Sequence, residues 1–122
     1  MADPFASFAG RQFLRLTTFR RSGEAVPTPV WFVAVDGGRG VFTAAEAGKV
    51  KRIRRDGRVR IVPCTYKGRP KGEEQEAQAR LVTGEEADRI LAALQAKYGW
   101  MFRMIARRRP EAAFILIGPA AG

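Results

Sequence analysis

Short runs of strand composition, each closed off by turn residues, fill most of this chain, and only one stretch is patterned for a long helix. The first run is Phe13-Leu14-Arg15-Leu16-Thr17-Thr18-Phe19, within residues 12–20. After the turn Ser22-Gly23-Glu24, residues 26–35 read as a second strand. Its Pro27 and Pro29 cannot donate ladder hydrogen bonds, so its first half belongs at an edge or a bulge. Asp36-Gly37-Gly38-Arg39-Gly40 reads as a hairpin turn and residues 40–43 as a third strand, making an antiparallel meander. Strands are expected again over 58–66, 73–82 and 112–117. In 73–82, Glu74, Glu76, Gln78 and Arg80 share one wet face. The run from Ala112 to Ile117 is apolar throughout, which places it centrally.

Helical spacing is confined to two places. Within 44–56, Ala47, Val50 and Ile53 share a face, while Lys49 with Arg52 and Lys51 with Arg55 share others, and Gly57 stops the helix. Thr83-Gly84-Glu85-Glu86 has the spacing of a capping box and opens a helix with Ala87, Ile90, Leu91, Leu94 and Tyr98 in one stripe. Residues 100–109 continue as a second helical piece ended by Pro110, with Trp100, Phe102 and Met104 read as packing beneath the pair. Residues 1–10 read as an irregular or short helical lead-in. At 122 residues, with neither repeat nor linker, the chain reads as a single domain over 1–122. The fold expected is mainly β of the α+β class: six short antiparallel strands closing into a small barrel, with a short basic helix and a C-terminal helix pair.

Charge is the second constraint. The net charge is +10, and residues 49–71 hold ten cationic side chains against Asp56 alone. The remainder is close to balanced, so an anion is expected to be received locally: nucleic acid, a membrane surface or a phosphorylated small molecule. Tyr66 is the one aromatic residue in that segment, whereas binders of single strands interleave several stacking rings with their cations, which argues against nucleic acid.

The absence of histidine excludes Ser-His and Cys-His nucleophile pairs, histidine bases and most zinc and iron sites. Cys64, the single cysteine, sits in an apolar run and reads as a core thiol. The N-terminus lacks a basic n-region and a long apolar stretch, and the longest apolar runs are too short to span a bilayer, so a soluble cytoplasmic protein is expected. Gly48-Lys49 is not a phosphate loop, because Val50 follows and Gly40 stands at the wrong spacing. A solvated strand accounts for Glu73, Glu74 and Glu76. A strand ending at Thr43 followed by a helix that begins near Lys49 is, by contrast, a candidate phosphate cradle, with a solvated cationic face as the other reading.

The stretch from Leu16 to Phe32, ending Pro29-Val30-Trp31-Phe32, resembles the opening hairpin of the pyridoxamine 5′-phosphate oxidase-like flavin-binding split-barrel family. The continuation from Val41 to Val59 is similar to that family's strand-Thr-x5-Lys-helix-strand order. With Pro63-Cys64 and Gly68-Arg69-Pro70-x-Gly72, the segment resembles the actinobacterial branch of deazaflavin-dependent enzymes, over about residues 12–109. The resemblance implies a six-stranded split β-barrel homodimer with a cofactor, FMN or the deazaflavin coenzyme F-420, at the subunit interface. It implies that Lys49 and a nearby hydroxyl hold the cofactor phosphate and that the Pro29, Val30 and Trp31 backbone lies along the ring system. The family's Ser is absent, since Ala47 and Gly48 stand there, which leaves Thr43 and helix amides for that role. Arg52, Arg55 and Arg60 are further anion contacts on charge and proximity alone. Trp31 reads equally as a core or dimer-interface residue.

The activity expected is hydride transfer to or from a small organic substrate. An acidic polyglutamyl tail on a deazaflavin would suit the cationic segment. No residue stands out as a proton donor; Tyr66, Tyr98 or water could serve. A non-catalytic cofactor- or haem-binding barrel is the alternative.

Overall fold

The structure is a computed structural model and describes residues 3–107 and 111–120. Six strands, β1 (Phe13–Phe19), β2 (Ala25–Val35), β3 (Gly38–Ala44), β4 (Arg58–Cys64), β5 (Gln75–Val82) and β6 (Ala112–Pro119), close into an antiparallel barrel in the order β1-β2-β3-β6-β5-β4. Helix α1 (Gly48–Arg55) joins β3 to β4, and α2 (Gly84–Tyr98) with α3 (Trp100–Arg107) joins β5 to β6. The fold is therefore the expected barrel, mainly β with some helix.

Alternation divides β2, β3, β5 and β6 between two apolar layers, while β1 and β4 contribute to the interior one. Leu14, Leu16, Val30, Phe32, Val41, Ile61, Ile115 and Ile117 fill the barrel interior. Val33 and Val82, with the partly buried Trp31, Phe42, Phe114 and Leu116, lie outside it under Ile90, Leu94, Tyr98 and Phe102 of the helix pair. Strand β6 is apolar on both faces because β3 and β5 flank it, the barrel lies on one side and α2 covers the other.

The barrel ends are plugged differently. At one end α1 sends Ile53 into the core. At the other, the single 3-10 turn Ala6–Phe8 brings in Phe5 and Phe8, both essentially inaccessible to solvent. The lead-in thus supplies core residues that the sequence reading left out.

Three expectations need correction. The hairpin between β2 and β3 is a two-residue turn, Asp36-Gly37, with φ of 52° and 76°, because both central residues of such a turn must be left-handed. Arg39, read as part of that turn, is buried in β3 instead. The capping box does not form: Thr83 makes no side-chain cap bond, and Glu86 is drawn off to Arg80 on β5. Trp100 and Met104 are exposed, and only Phe102 of that trio packs inward. Gly57 does follow α1, but its role is close approach: a Cβ there would stand 2.4 Å from the Ala79 carbonyl oxygen. The stop expected at Pro110 lies outside the described residues. No helix among the described residues is long and apolar enough to cross a membrane.

Candidate functional site

The prolines of β2 determine where the barrel wall opens. Strand β1 pairs with β2 along Ala25–Trp31, but β3 pairs only with Phe32–Val35. The outer edge of the Pro27–Trp31 stretch is left without a strand partner, as its missing N–H groups require. A cleft of about 260 Å³ lies there. Thr28, Pro29, Val30 and Trp31 form its β2 side. Phe13, Phe42, Leu94 and Phe102 add apolar walls, and Thr43 with Lys49 supplies a polar end.

Each wall is held by packing. The Phe42 ring meets Phe102 edge-on at 5.2 Å and Phe114 at 5.7 Å. The Trp31 ring is stacked on Tyr98. At the polar end the Lys49 ammonium donates to the Thr43 hydroxyl at 3.2 Å. Thr43 is buried and Lys49 half-buried, so this charge sits partly out of water at the mouth of an apolar slot. Helix α1 delivers Lys49 from its first turn, which no side chain caps.

Arg52 and Arg55 do not line this cleft. They share a neighbouring groove with Arg20, Arg21 and Lys51. The Arg52 guanidinium donates to Thr18 at 2.6 Å, and Arg55 donates to the Phe19 carbonyl. Burial, followed by the like charge of Arg20, holds the Arg52 pKa below its ordinary value. Arg60 lies apart from both, on the wet face of β4, 5.6 Å over the Phe19 ring and 3.8 Å from Glu74. The structure thus joins Lys49, Thr43, Pro29, Val30 and Trp31 at one cleft, sets Arg52 and Arg55 beside it, and leaves Arg60 elsewhere.

Both tyrosines considered as proton donors are otherwise placed. Tyr66 is 67% exposed on the β4–β5 connection and does not line the cleft. The Tyr98 hydroxyl accepts from the Phe32 amide at 3.1 Å and faces the Phe32 and Gln12 carbonyls at 2.7 and 2.6 Å. Burial pushes its pKa up to about 12, against the lowering effect of the Phe32 backbone bond. Cys64 is buried, and burial raises its pKa too, as expected of a core thiol.

Thr28, Phe13, Phe42, Leu94 and Phe102 were missed as cleft residues. Thr28 had a signal in its place between the two prolines. The other four read only as apolar strand or helix positions, and tertiary packing alone brings them together. Among the described residues no cluster of acidic or cysteine side chains could hold a metal ion.

A family model described as pyridoxamine 5′-phosphate oxidase matches residues 3–122. No curated protein matches the chain in sequence. Among solved structures, HutZ, the haem storage protein of Vibrio cholerae, is similar at 17% identity and a TM-score of 0.74, over 93% of this chain and 84% of that one. A conserved hypothetical protein of Mycobacterium tuberculosis is similar at 20% identity and a TM-score of 0.71, over 92% and 75%. A haem-binding protein of Mycobacterium smegmatis is similar at 14% identity and a TM-score of 0.66, over 95% of this chain but only 49% of its own. At these identities the likeness is one of fold.

Proposed function

The chain belongs to the pyridoxamine 5′-phosphate oxidase family, and from that premise we propose that it is an oxidoreductase that binds a flavin-type cofactor, FMN or the deazaflavin coenzyme F-420, in the Trp31–Lys49 cleft. The observation that carries this reading is the Lys49–Thr43 contact at the end of an aromatic-walled slot. An ammonium and a hydroxyl suit a phosphate, and Trp31, Phe13 and Phe42 suit a planar ring.

A bound flavin or deazaflavin supplies the hydride chemistry itself. The protein binds, orients and excludes water. Lys49 and Thr43 would hold the phosphate end. Trp31, stacked on Tyr98, would offer the ring an apolar neighbour, and Phe42 and Phe102 would help exclude water. No described residue lining the cleft carries a carboxyl or phenol group, and Tyr98 is committed to backbone, so water would supply the proton when the substrate is reduced.

We place the site at a homodimer interface. Trp100 and Met104 on α3 are 69% and 51% exposed, on the face of that helix opposite the buried Phe102. They offer an exposed apolar surface that a second copy would cover. Titration of the purified protein with coenzyme F-420 and with FMN, followed by absorption, tests the reading. Saturable binding at micromolar concentration, weakened by Lys49→Ala, is expected; no binding of either cofactor would sink it.

Haem binding without turnover is a second reading, favoured by the fold likeness to the haem storage protein. With no histidine in the chain, axial ligation would fall to another residue type. A Soret band that forms on adding hemin, together with no response to either flavin, would select it.

A further inference from the structure

The side of α2 away from the Trp31–Lys49 cleft carries a second concavity, and we propose that it binds an amphiphilic carboxylate of the medium-chain fatty acid class. This groove, about 440 Å³, runs between the N-terminal turn, β2 and α2, and shares no lining residue with the cleft. Phe8, Phe32, Val33 and Ala93 are among its apolar walls, and its charged residues are Arg39 and Lys97.

Neither cation has a carboxylate partner among the described residues. Arg39 is only 8% exposed; its terminal nitrogens donate to the Gly38 and Phe5 carbonyls at 2.7 and 2.9 Å, and its Nε has no acceptor. Asp3 acts on Arg39 electrostatically but forms no ion pair with it, its carboxylate accepting the Phe5 amide. The Lys97 ammonium donates to the Arg11 and Phe32 carbonyls at 2.7 Å each and rests 3.9 Å over the Phe32 ring. An ammonium has three donors, so one remains for a ligand.

Buried Arg39 and the more open Lys97 are served by neutral oxygens and rings at the edge of an apolar groove, with no carboxylate in contact with either among the described residues. Burial and the nearby Arg39 lower the pKa of Lys97, consistent with that deficit. A carboxylate on an alkyl chain meets both needs: the head supplies the missing charge and the chain covers the apolar walls. A compact inorganic anion would leave the exposed alanines of the groove, Ala9, Ala34 and Ala96, uncovered.

Calorimetric titration with decanoate tests the proposal, with decyltrimethylammonium as the chain-matched cation. One-to-one saturable binding of decanoate alone is expected. Lys97→Met should weaken it about tenfold or more, and Lys97→Arg should restore it. Ala96→Trp, at an exposed position on the groove, should abolish binding without unfolding the helix. Equal binding of the cationic amphiphile, indifference to Lys97→Met, or dissociation of a dimer by Ala96→Trp would overturn the proposal, the last by identifying a second copy as the occupant.

Discussion

Tyr98 holds the Trp31–Phe32 step of β2 at two points. Its ring lies on the indole at 4.4 Å with the planes 9° apart, and its hydroxyl is fastened to the backbone of Phe32, the next residue along β2. A helix residue thereby sets both the side-chain plane and the backbone position of the strand that forms one wall of the cleft.

Tyr98→Phe keeps the stack and removes the hydroxyl. The buried Phe32 amide then loses an acceptor, so a loss of about 1–3 kcal/mol is expected. Urea denaturation should show a lower midpoint with an unchanged slope, and near-ultraviolet circular dichroism of the tryptophans should persist.

Lys49→Ala should weaken cofactor binding by about ten- to a hundredfold, the worth of a charge-assisted bond to phosphate. Arg60→Ala should leave it within about twofold, because Arg60 is occupied by Glu74 and Phe19 on another face. Parallel titrations of the two variants decide whether position or mere positive charge matters.

Stability should depend on alkaline pH in two opposed steps. Burial lowers the Lys97 pKa to about 8, below that of an unfolded lysine. Between about pH 8 and 10 the unfolded chain holds the extra proton, so stability rises with pH. Tyr98 is raised to about 12, so above about pH 10 the folded chain holds the extra proton and stability falls. Thermal melts across this range should show the rise vanish in Lys97→Met and the fall vanish in Tyr98→Phe.

Gly57→Ala should cost about 1–3 kcal/mol, since the new Cβ meets the backbone oxygen of Ala79. Gly48→Ala should cost much less: the group it meets is the flexible end of Arg52. Chemical denaturation of both variants separates a backbone collision from a side-chain one.

The elements were legible because their patterns are local. Pro27 and Pro29 announced an open edge, and the all-apolar run at 112–117 announced a strand covered on both faces. The family resemblance, through its Thr43-x5-Lys49 order, pointed to two residues that meet at the polar end of the cleft. What stayed hidden depends on distant partners. Nothing near Arg39 says that it will turn toward Phe5, 34 residues earlier. Nothing near Arg60 says that Glu74 will engage it, and Glu86 had a cap to make until Arg80 arrived beside it. Charge and proximity in sequence grouped Arg52, Arg55 and Arg60 together, whereas α1 keeps Arg52 and Arg55 in one groove and strand alternation sends Arg60 to the wet face of β4.

The strand order also has a consequence for assembly. Residues 13–82 can form only a curled five-stranded sheet, β3-β2-β1-β4-β5, with two bare margins. β6 is the stave that bonds to both margins at once. Folding therefore waits on its longest-range pairing, and β6 cannot dock until the helix pair preceding it has emerged. A chain arrested before residue 112 would offer the edges of β3 and β5 to its neighbours, so incomplete synthesis should yield aggregates rather than a smaller soluble domain.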